Sequence, residues 1–390
     1  MRKVFSTIQY FFRNGDSMLL FLCLAASGFG LIMIASASQW QNDGGRILVQ
    51  LVAILLGVIL FILFSLLDIS MIAERREVLF VFNLILIGLL FTPLAEEVNG
   101  NKSWLNLPII PFNLQPAEIC KITFIMIIAK TMDAYRNSIS KFSTVLRLGF
   151  HLCFIVGLLM VASRDAGSAL MYVLIFVVML WTGGVHWSYF LGAAGLVAIA
   201  APIAWNLKIG EWQLVEDYQR NRILMIFDNS IDPYGSGIRW HTKNSLLTLA
   251  NGGITGQGLF NGLRTQTGAL SQQHTDFIFS VVGEELGIIG CMLVLLILFL
   301  IIFHCFKVGI KSGSYMNRQI CIGIGSMLIW QVIINVGMCT GLTPVIGLTL
   351  PFFSYGGSSI VSTYAAMGII AGIYMHPNSD SELRYIRPPF

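Results

Sequence analysis

Ten stretches of the chain, each near 20 residues long and almost free of charge, constrain the fold more than any other feature. They run over 17–37, 47–67, 76–95, 115–132, 145–163, 167–182, 188–206, 277–303, 319–340 and 357–375. About 20 apolar residues is the length at which a helix crosses the hydrocarbon of a bilayer. With 56% of its residues hydrophobic and 11% charged, the 390-residue chain is too apolar for an ordinary soluble domain. The expectation is an all-α polytopic membrane protein of about ten transmembrane helices. A single membrane domain, 1–390, would place helices 1–7 over 16–207, a long extracellular loop over 208–276, helices 8–10 over 277–376 and a cytoplasmic tail over 377–390.

The first stretch follows basic residues, but it is long and lacks a small-residue cleavage site, so it reads as a retained helix. Orientation follows from Lys and Arg in the short connections. One side collects Arg2, Lys3, Arg13, Arg75, Arg76, Lys130, Arg136, Lys141, Arg147, Lys307, Lys311, Arg318, Arg384 and Arg387; the other has Arg46, Lys102 and Arg164. Both termini are therefore expected in the cytoplasm. The net charge of +4 reflects this bias and makes no case for nucleic-acid binding. All seven cysteines fall in or beside apolar segments without metal-ligand spacing, which points to core packing.

Between the last two apolar stretches stands Thr343 to Ser359, with Pro344, Pro351, Gly356, Gly357 and Ser358. Irregular backbone at membrane level persists only where protein or water shields it, so this segment is a candidate cavity wall, and with both termini inside it reads as a rigid structural rim on the outer face, level with Asp276 and Trp104. The loop from about Lys208 to Thr275 is long enough to form a lid or binding surface. Its run Asn251 to Gly258 has four glycines, which suits either close approach of backbone amides to a ligand or a flexible turn.

The loop ends at His274-Thr-Asp276, just before a long apolar helix. Asp276 is a candidate general base facing a cavity; the alternative is a helix cap, with Thr275 or Asp276 favoured by the macrodipole. Glu284 and Glu285 lie farther along that helix. Glu118 and Lys121, three apart on the fourth span, are close enough to pair, and ionisable groups inside a membrane are functional candidates by default. Asp165 either caps the sixth helix or faces the same cavity. Trp104 reads as an interfacial anchor or a platform for a sugar ring, and Gln331 with Asn335 as hydrogen-bonding glue between helices.

These residues resemble the SEDS family of bacterial cell-wall synthesis, which comprises RodA, FtsW and SpoVE. The segment from Gly341 to Ser359 is similar to that family's G-x-x-P-x-x-G-x-x-L-P-F-x-S-Y-G-G-S-S, and Asn335-Val-Gly-Met338 precedes it. Gln115-Pro-Ala-Glu118-Ile-Cys-Lys121, Tyr218-Gln-Arg-Asn-Arg222-Ile and His274-Thr-Asp-Phe-Ile-Phe279 with Gly283-Glu-Glu-Leu-Gly287 match further family motifs. The resemblance implies a ten-span peptidoglycan glycosyltransferase that polymerises lipid II on the outer face of the bacterial cytoplasmic membrane. It also implies a class B penicillin-binding protein as partner, among the other proteins of the elongation or division machinery.

Carried over by position, Asp276 corresponds to the essential outer-loop acid, and Trp104, Glu118, Lys121 and Asp165 to cavity positions. His274 and Ser358 are expected at the substrate, with Lys121 and Arg222 for the pyrophosphate and Glu118 orienting Lys121. A divalent cation can share the leaving-group role, although no ligand cluster of suitable spacing appears, and no other cofactor is implied. The chain departs from the pattern in having Ser271 and Gln272 before His274, Asn244 and Ser245 in the long loop, and Arg164-Asp-Ala-Gly-Ser168 where many members read Pro-Asp-Leu-Gly-Thr. Two further readings stand beside the enzyme. Broken helices with buried charges also suit a flippase or transporter, and the departures suit a non-catalytic scaffold for a penicillin-binding protein. Elongation, division and sporulation roles are all open at this point.

Overall fold

The computed structural model describes residues 15–377, apart from 42–43, 99–100, 109, 207, 210–211, 214–219, 222–223, 225–231 and 233–238. Arg222 and most of its motif, the basic residues before position 15 and the tail from 378 thus lie outside the described residues.

A helix occupies each predicted stretch, the third only as far as Gly88. They are α1 (Ser17–Ser38), α2 (Gly45–Leu66), α3 (Ile69–Glu74), α4 (Arg76–Gly88), α5 (Pro116–Ala134), α6 (Phe142–Ser163), α7 (Ala166–Thr182) and α8 (Trp187–Asn206). After the long loop come α11 (Ile278–Lys311), α12 (Tyr315–Thr340) and α13 (Gly357–Met375); α9 (Trp240–Gly252) and α10 (Leu263–Gln266) lie within that loop. Six of them, α1, α2, α6, α11, α12 and α13, are long and apolar enough to cross a membrane, and α7 and α8 are shorter apolar helices. On α2 the residues Leu48, Leu55 and Ile59 face outward, and on α11 Ile289, Met292, Leu296 and Phe299 do the same, as lipid-facing surfaces require.

At the centre is α13, which is buried from Gly357 to Ile373 at every position except Ser359. It packs most closely on α2, and small residues permit that approach. A Cβ at Gly368 would lie 2.7 Å from the carbonyl oxygen of Phe61, and one at Gly372 2.8 Å from that of Phe64. Ser27 on α1 and Tyr364 on α13 share a hydrogen bond of 2.9 Å.

One expectation is corrected. The third predicted span stops early, at Gly88, and passes through a 3-10 turn (Leu89–Phe91) to Pro93, which cannot continue a helix. An antiparallel hairpin follows, β1 (Ala95–Val98) and β2 (Asn101–Leu105), in which Trp104 stands opposite Glu96. The long loop carries secondary structure of its own: β3 (Lys208–Ile209) pairs with β4 (Trp212–Gln213), and α9 packs along α11.

That packing explains the glycine-rich run. Helix α11 breaks at Gly287, whose φ of 67° and ψ of −164° are reached in practice only by glycine. The break frees backbone groups, and the run from Gly253 to Gly258 takes them up. The amides of Gln257 and Gly258 donate to the carbonyls of Glu284 and Glu285, while the amides of Ile288 and Ile289 donate to Gly253 and Ile254. These amides serve the helix rather than a ligand. Glu284 and Glu285 are likewise structural: Glu284 accepts from the amides of Arg264 (2.9 Å) and Thr265 (2.8 Å), and Glu285 from Ser36 and the amide of Phe260.

Candidate active site

Helix α12 is capped by Gly341 in the left-handed conformation (φ 74°), and the chain then runs without regular secondary structure past Pro344 before turning at Pro351. The turn descends into the bundle. A Cβ on Gly30 of α1 would come within 2.5 Å of the Phe352 carbonyl oxygen. Gly30 is eight residues before the end of α1, so the turn sits about 12 Å below that end at 1.5 Å per residue. Phe352 and Phe353 are buried there.

This descending segment holds the chain around Asp276 through backbone carbonyls. The Ser354 hydroxyl donates to the Thr275 carbonyl (2.6 Å), and the Tyr355 amide to that of His274 (2.8 Å). Asn335, buried on α12, donates through Nδ2 to the carbonyls of both Asp276 (2.9 Å) and Leu348 (2.7 Å). Gln50 on α2 closes the other side: it donates to the Ser354 carbonyl (3.3 Å) and accepts from the Gly356 amide (3.2 Å). Every one of these bonds leaves the Asp276 side chain alone.

The Asp276 carboxylate lies against Gly347, where a Cβ would stand 3.8 Å from Oδ2. A half-buried carboxyl in this position is poorly hydrated, and burial raises its pKa to about 6. It does not cap the helix: the N-cap of α11 is Phe277, with no side-chain hydrogen bond, which removes the structural explanation offered by the sequence. Beside it, His274 Nδ1 is 3.5 Å from the Arg46 guanidinium, and its ring centroid is 5.6 Å from that of Tyr355.

A second acid reaches the same segment from the opposite side. Asp165 caps α7, accepting from the Ser168 amide (3.0 Å) and hydroxyl (2.7 Å), and also from Gln115 Nε2 (3.3 Å). A Cβ at Gly167 would touch the Ile346 carbonyl at 2.7 Å, so Ile346–Gly347 separates the α7 terminus from Asp276. The cap reading of Asp165 therefore holds, with Ile346–Gly347 standing between it and Asp276. Gln115 continues inward: its amide donates to the Ser358 hydroxyl (2.9 Å).

Other expected site residues are placed less directly. Glu118 and Lys121 pair at 2.7 Å, but Lys121 is fully buried, so its ammonium is closed to a ligand in this conformation. Ser358 is 1% exposed and engaged with Gln115, which leaves it unavailable to substrate, and the amides of Leu350, Tyr355 and Gly356 are all used internally. Trp104 joins the site only through its strand: Leu105 exchanges hydrogen bonds of 2.7 and 2.9 Å with Leu114, one residue before Gln115. Arg222 lies outside the described residues. No three His, Cys, Asp or Glu side chains gather as metal ligands among the described residues.

Arg46 and Gln50 stand at the site although no motif in the sequence marks them. A glutamine inside an otherwise apolar span was the available signal for Gln50. Asn335 was read as glue between helices, whereas it ties the turn before α11 to the descending segment. Replacing Asn335 by Leu strands the buried Leu348 carbonyl and leaves that of Asp276 with only the weak Cys339 thiol donor, at a cost of roughly 1–3 kcal/mol for the stranded group. The expected result is a drop of several degrees in thermal midpoint together with at least about tenfold lower activity, because Asp276 loses its fixed position.

The model of a family described as "Cell cycle protein", FtsW/RodA/SpoVE, matches residues 17–379. A curated relative from Geobacter metallireducens, "Probable peptidoglycan glycosyltransferase FtsW", is 33% identical over 365 residues, covering 92% of this chain and 94% of the relative. "Peptidoglycan glycosyltransferase MrdB" of Escherichia coli K12 is 30% identical over 361 residues, covering 93% and 94%. Among solved structures, a chain from work described as "Structural coordination of polymerization and crosslinking by a peptidoglycan synthase complex" superposes with a TM-score of 0.76 at 28% identity, over 93% of this chain and 98% of that one. The rod shape determining protein RodA of Thermus thermophilus superposes with a TM-score of 0.68 at 26% identity, over 93% and 97%.

Proposed function

Because the chain belongs to the FtsW/RodA/SpoVE family of cell cycle proteins, we propose that it is a multi-pass peptidoglycan glycosyltransferase with Asp276 as its general base. The observation that carries this reading is the Asp276 carboxyl itself. It is unbonded by the network that fixes its backbone, half-buried against Gly347, and pushed up to about 6, where an acid is still mostly ionised at neutral pH yet basic enough to take a proton.

The donor is a disaccharide carried on undecaprenyl pyrophosphate. The acceptor sugar's 4-hydroxyl oxygen attacks the donor's anomeric carbon as that carbon's bond to the pyrophosphate oxygen breaks. Asp276 takes the hydroxyl proton, and the lipid pyrophosphate departs with the bonding pair. Positive charge near that leaving group favours the step. Arg46, beside His274, is our candidate for it within the described residues, in addition to Arg222. Lys121 acts there only if its pair with Glu118 opens, so we assign the pair to positioning α5 behind Gln115. The described residues present no ligand set for a divalent cation, and no step runs through one.

We further assign the chain to the bacterial cytoplasmic membrane with ten crossings, both termini in the cytoplasm and Asp276 on the outer face. The Lys and Arg bias of the short connections supports this. A class B penicillin-binding protein is the proposed partner, supported by the likeness to a chain of a peptidoglycan synthase complex. The test gives purified chain and partner labelled lipid II in detergent and resolves the glycan products by size. Glycan chains are expected; no polymer under any partner condition overturns the reading, and scrambling of lipid II across liposomes without polymer favours a transporter.

A further inference from the structure

At the end of the bundle that carries Asp165, a cavity of about 510 Å³ opens between the hairpin, the end of α4 and the end of α6. Its walls are of two kinds. Val161 (73% exposed) and Phe91 (60% exposed) present apolar surface to the outside of the bundle, while Lys102, Glu97 and Arg164 supply charge. Lys102 and Glu97 stand 3.9 Å apart. The Arg164 guanidinium has no hydrogen-bond or ion-pair partner among the described residues, although its backbone amide donates to Met160. Arg164 closes α6 at φ 55°, a conformation that favours glycine, so a long cation is held at a costly backbone position. The adjacent acid turns away: Asp165 is bound to Ser168 and Gln115 on the catalytic side.

We propose that this cavity seats the head group of an anionic phospholipid, with its phosphodiester between Arg164 and Lys102 and its acyl chains along Val161 and Phe91. Charge decides the class of ligand. Two cations against one carboxylate leave one net positive charge, which complements the single charge of a phosphodiester rather than the greater charge of a pyrophosphate. The apolar wall at the end of a spanning helix calls for a lipid rather than a free anion. The cavity of about 420 Å³ at the other end of the bundle lacks this character. There Arg76 is paired with Glu77 at 3.1 Å and Arg147 lies 4.7 Å over the Tyr135 ring. A bound lipid braces the α6–α7 turn and, through Asp165, the link from Gln115 to Ser358.

The test places the full-length chain in phosphatidylcholine nanodiscs and titrates spin-labelled phosphatidylglycerol, reading the motionally restricted fraction. Joint replacement R164Q with K102Q is expected to weaken the association by about thirtyfold, since each of the two basic groups near an anionic lipid contributes on the order of 1 kcal/mol. E97Q strengthens it, and R164K with native Lys102 binds as the unaltered chain does, which separates lost charge from lost fold. Equal binding by the doubly substituted chain overturns the proposal. So does displacement of the label by inorganic phosphate, which would mark a simple anion site, or by undecaprenyl pyrophosphate at far lower concentration, which would mark a substrate site. Binding is expected to persist in D276N, so a failed polymerisation assay leaves this result standing.

Discussion

Asp276→Asn is expected to lower lipid II polymerisation by roughly a hundredfold to ten-thousandfold, the range a positioned general base contributes. The amide is nearly isosteric, and the bonds that fix residue 276 go to its backbone carbonyl, so the variant keeps its place. Its stability moves in the opposite direction from its activity. Burial favours the neutral acid, so the folded pKa lies above the unfolded one; the stability tied to that proton is present at low pH and is lost as pH rises through about 6. At pH above 7 the asparagine variant is therefore expected to melt no lower than the native chain in detergent. A variant that is inactive and also markedly less stable would make Asp276 a structural residue.

Gly287→Ala is expected to have the largest effect on folding. A Cβ at Gly287 would stand 2.3 Å from the Ile254 carbonyl oxygen and 2.5 Å from the Gly256 nitrogen, both backbone atoms that cannot swing aside. The backbone conformation is also closed to alanine. Separating the run from Gly253 to Gly258 from α11 would strand the four hydrogen bonds that repair the break. A cost of about 3 kcal/mol or more follows, read as loss of monodisperse protein or a steep fall in thermal midpoint. Gly157→Ala is the control. A Cβ at that position on α6 would meet nothing within 4 Å, and alanine there is expected to be neutral or to stabilise by up to about 1 kcal/mol.

How much of this was legible in the sequence depends on what carried each feature. Spans were readable because a bilayer imposes length and apolarity on each helix separately, with no knowledge of its neighbours. Asp276 and Asp165 stood out because charge at the end of an apolar run is costly enough to need a reason. Depth was not readable. Pro344 through Gly357 announces broken backbone, but only the contact with Gly30 on α1, more than 300 residues away, shows the turn descending into the bundle. The run from Asn251 to Gly258 misled for a related reason. Glycine marks close approach, and nothing local says whether a ligand or a broken helix does the approaching. Gln50 and Arg46 gained their roles from partners at 354, 356 and 274, pairings that only the packing of α2 creates.

If a single carboxylate, raised by burial, takes the acceptor's proton, the pH dependence of kcat/KM for polymerisation will show one ionisation on the acid side with a midpoint at about 6, the rate falling about tenfold per pH unit below it. Residual activity of Asp276→Asn should lack that step. A native profile that is flat from about pH 5 to 7, or a step of the same midpoint surviving in the variant, would contradict it.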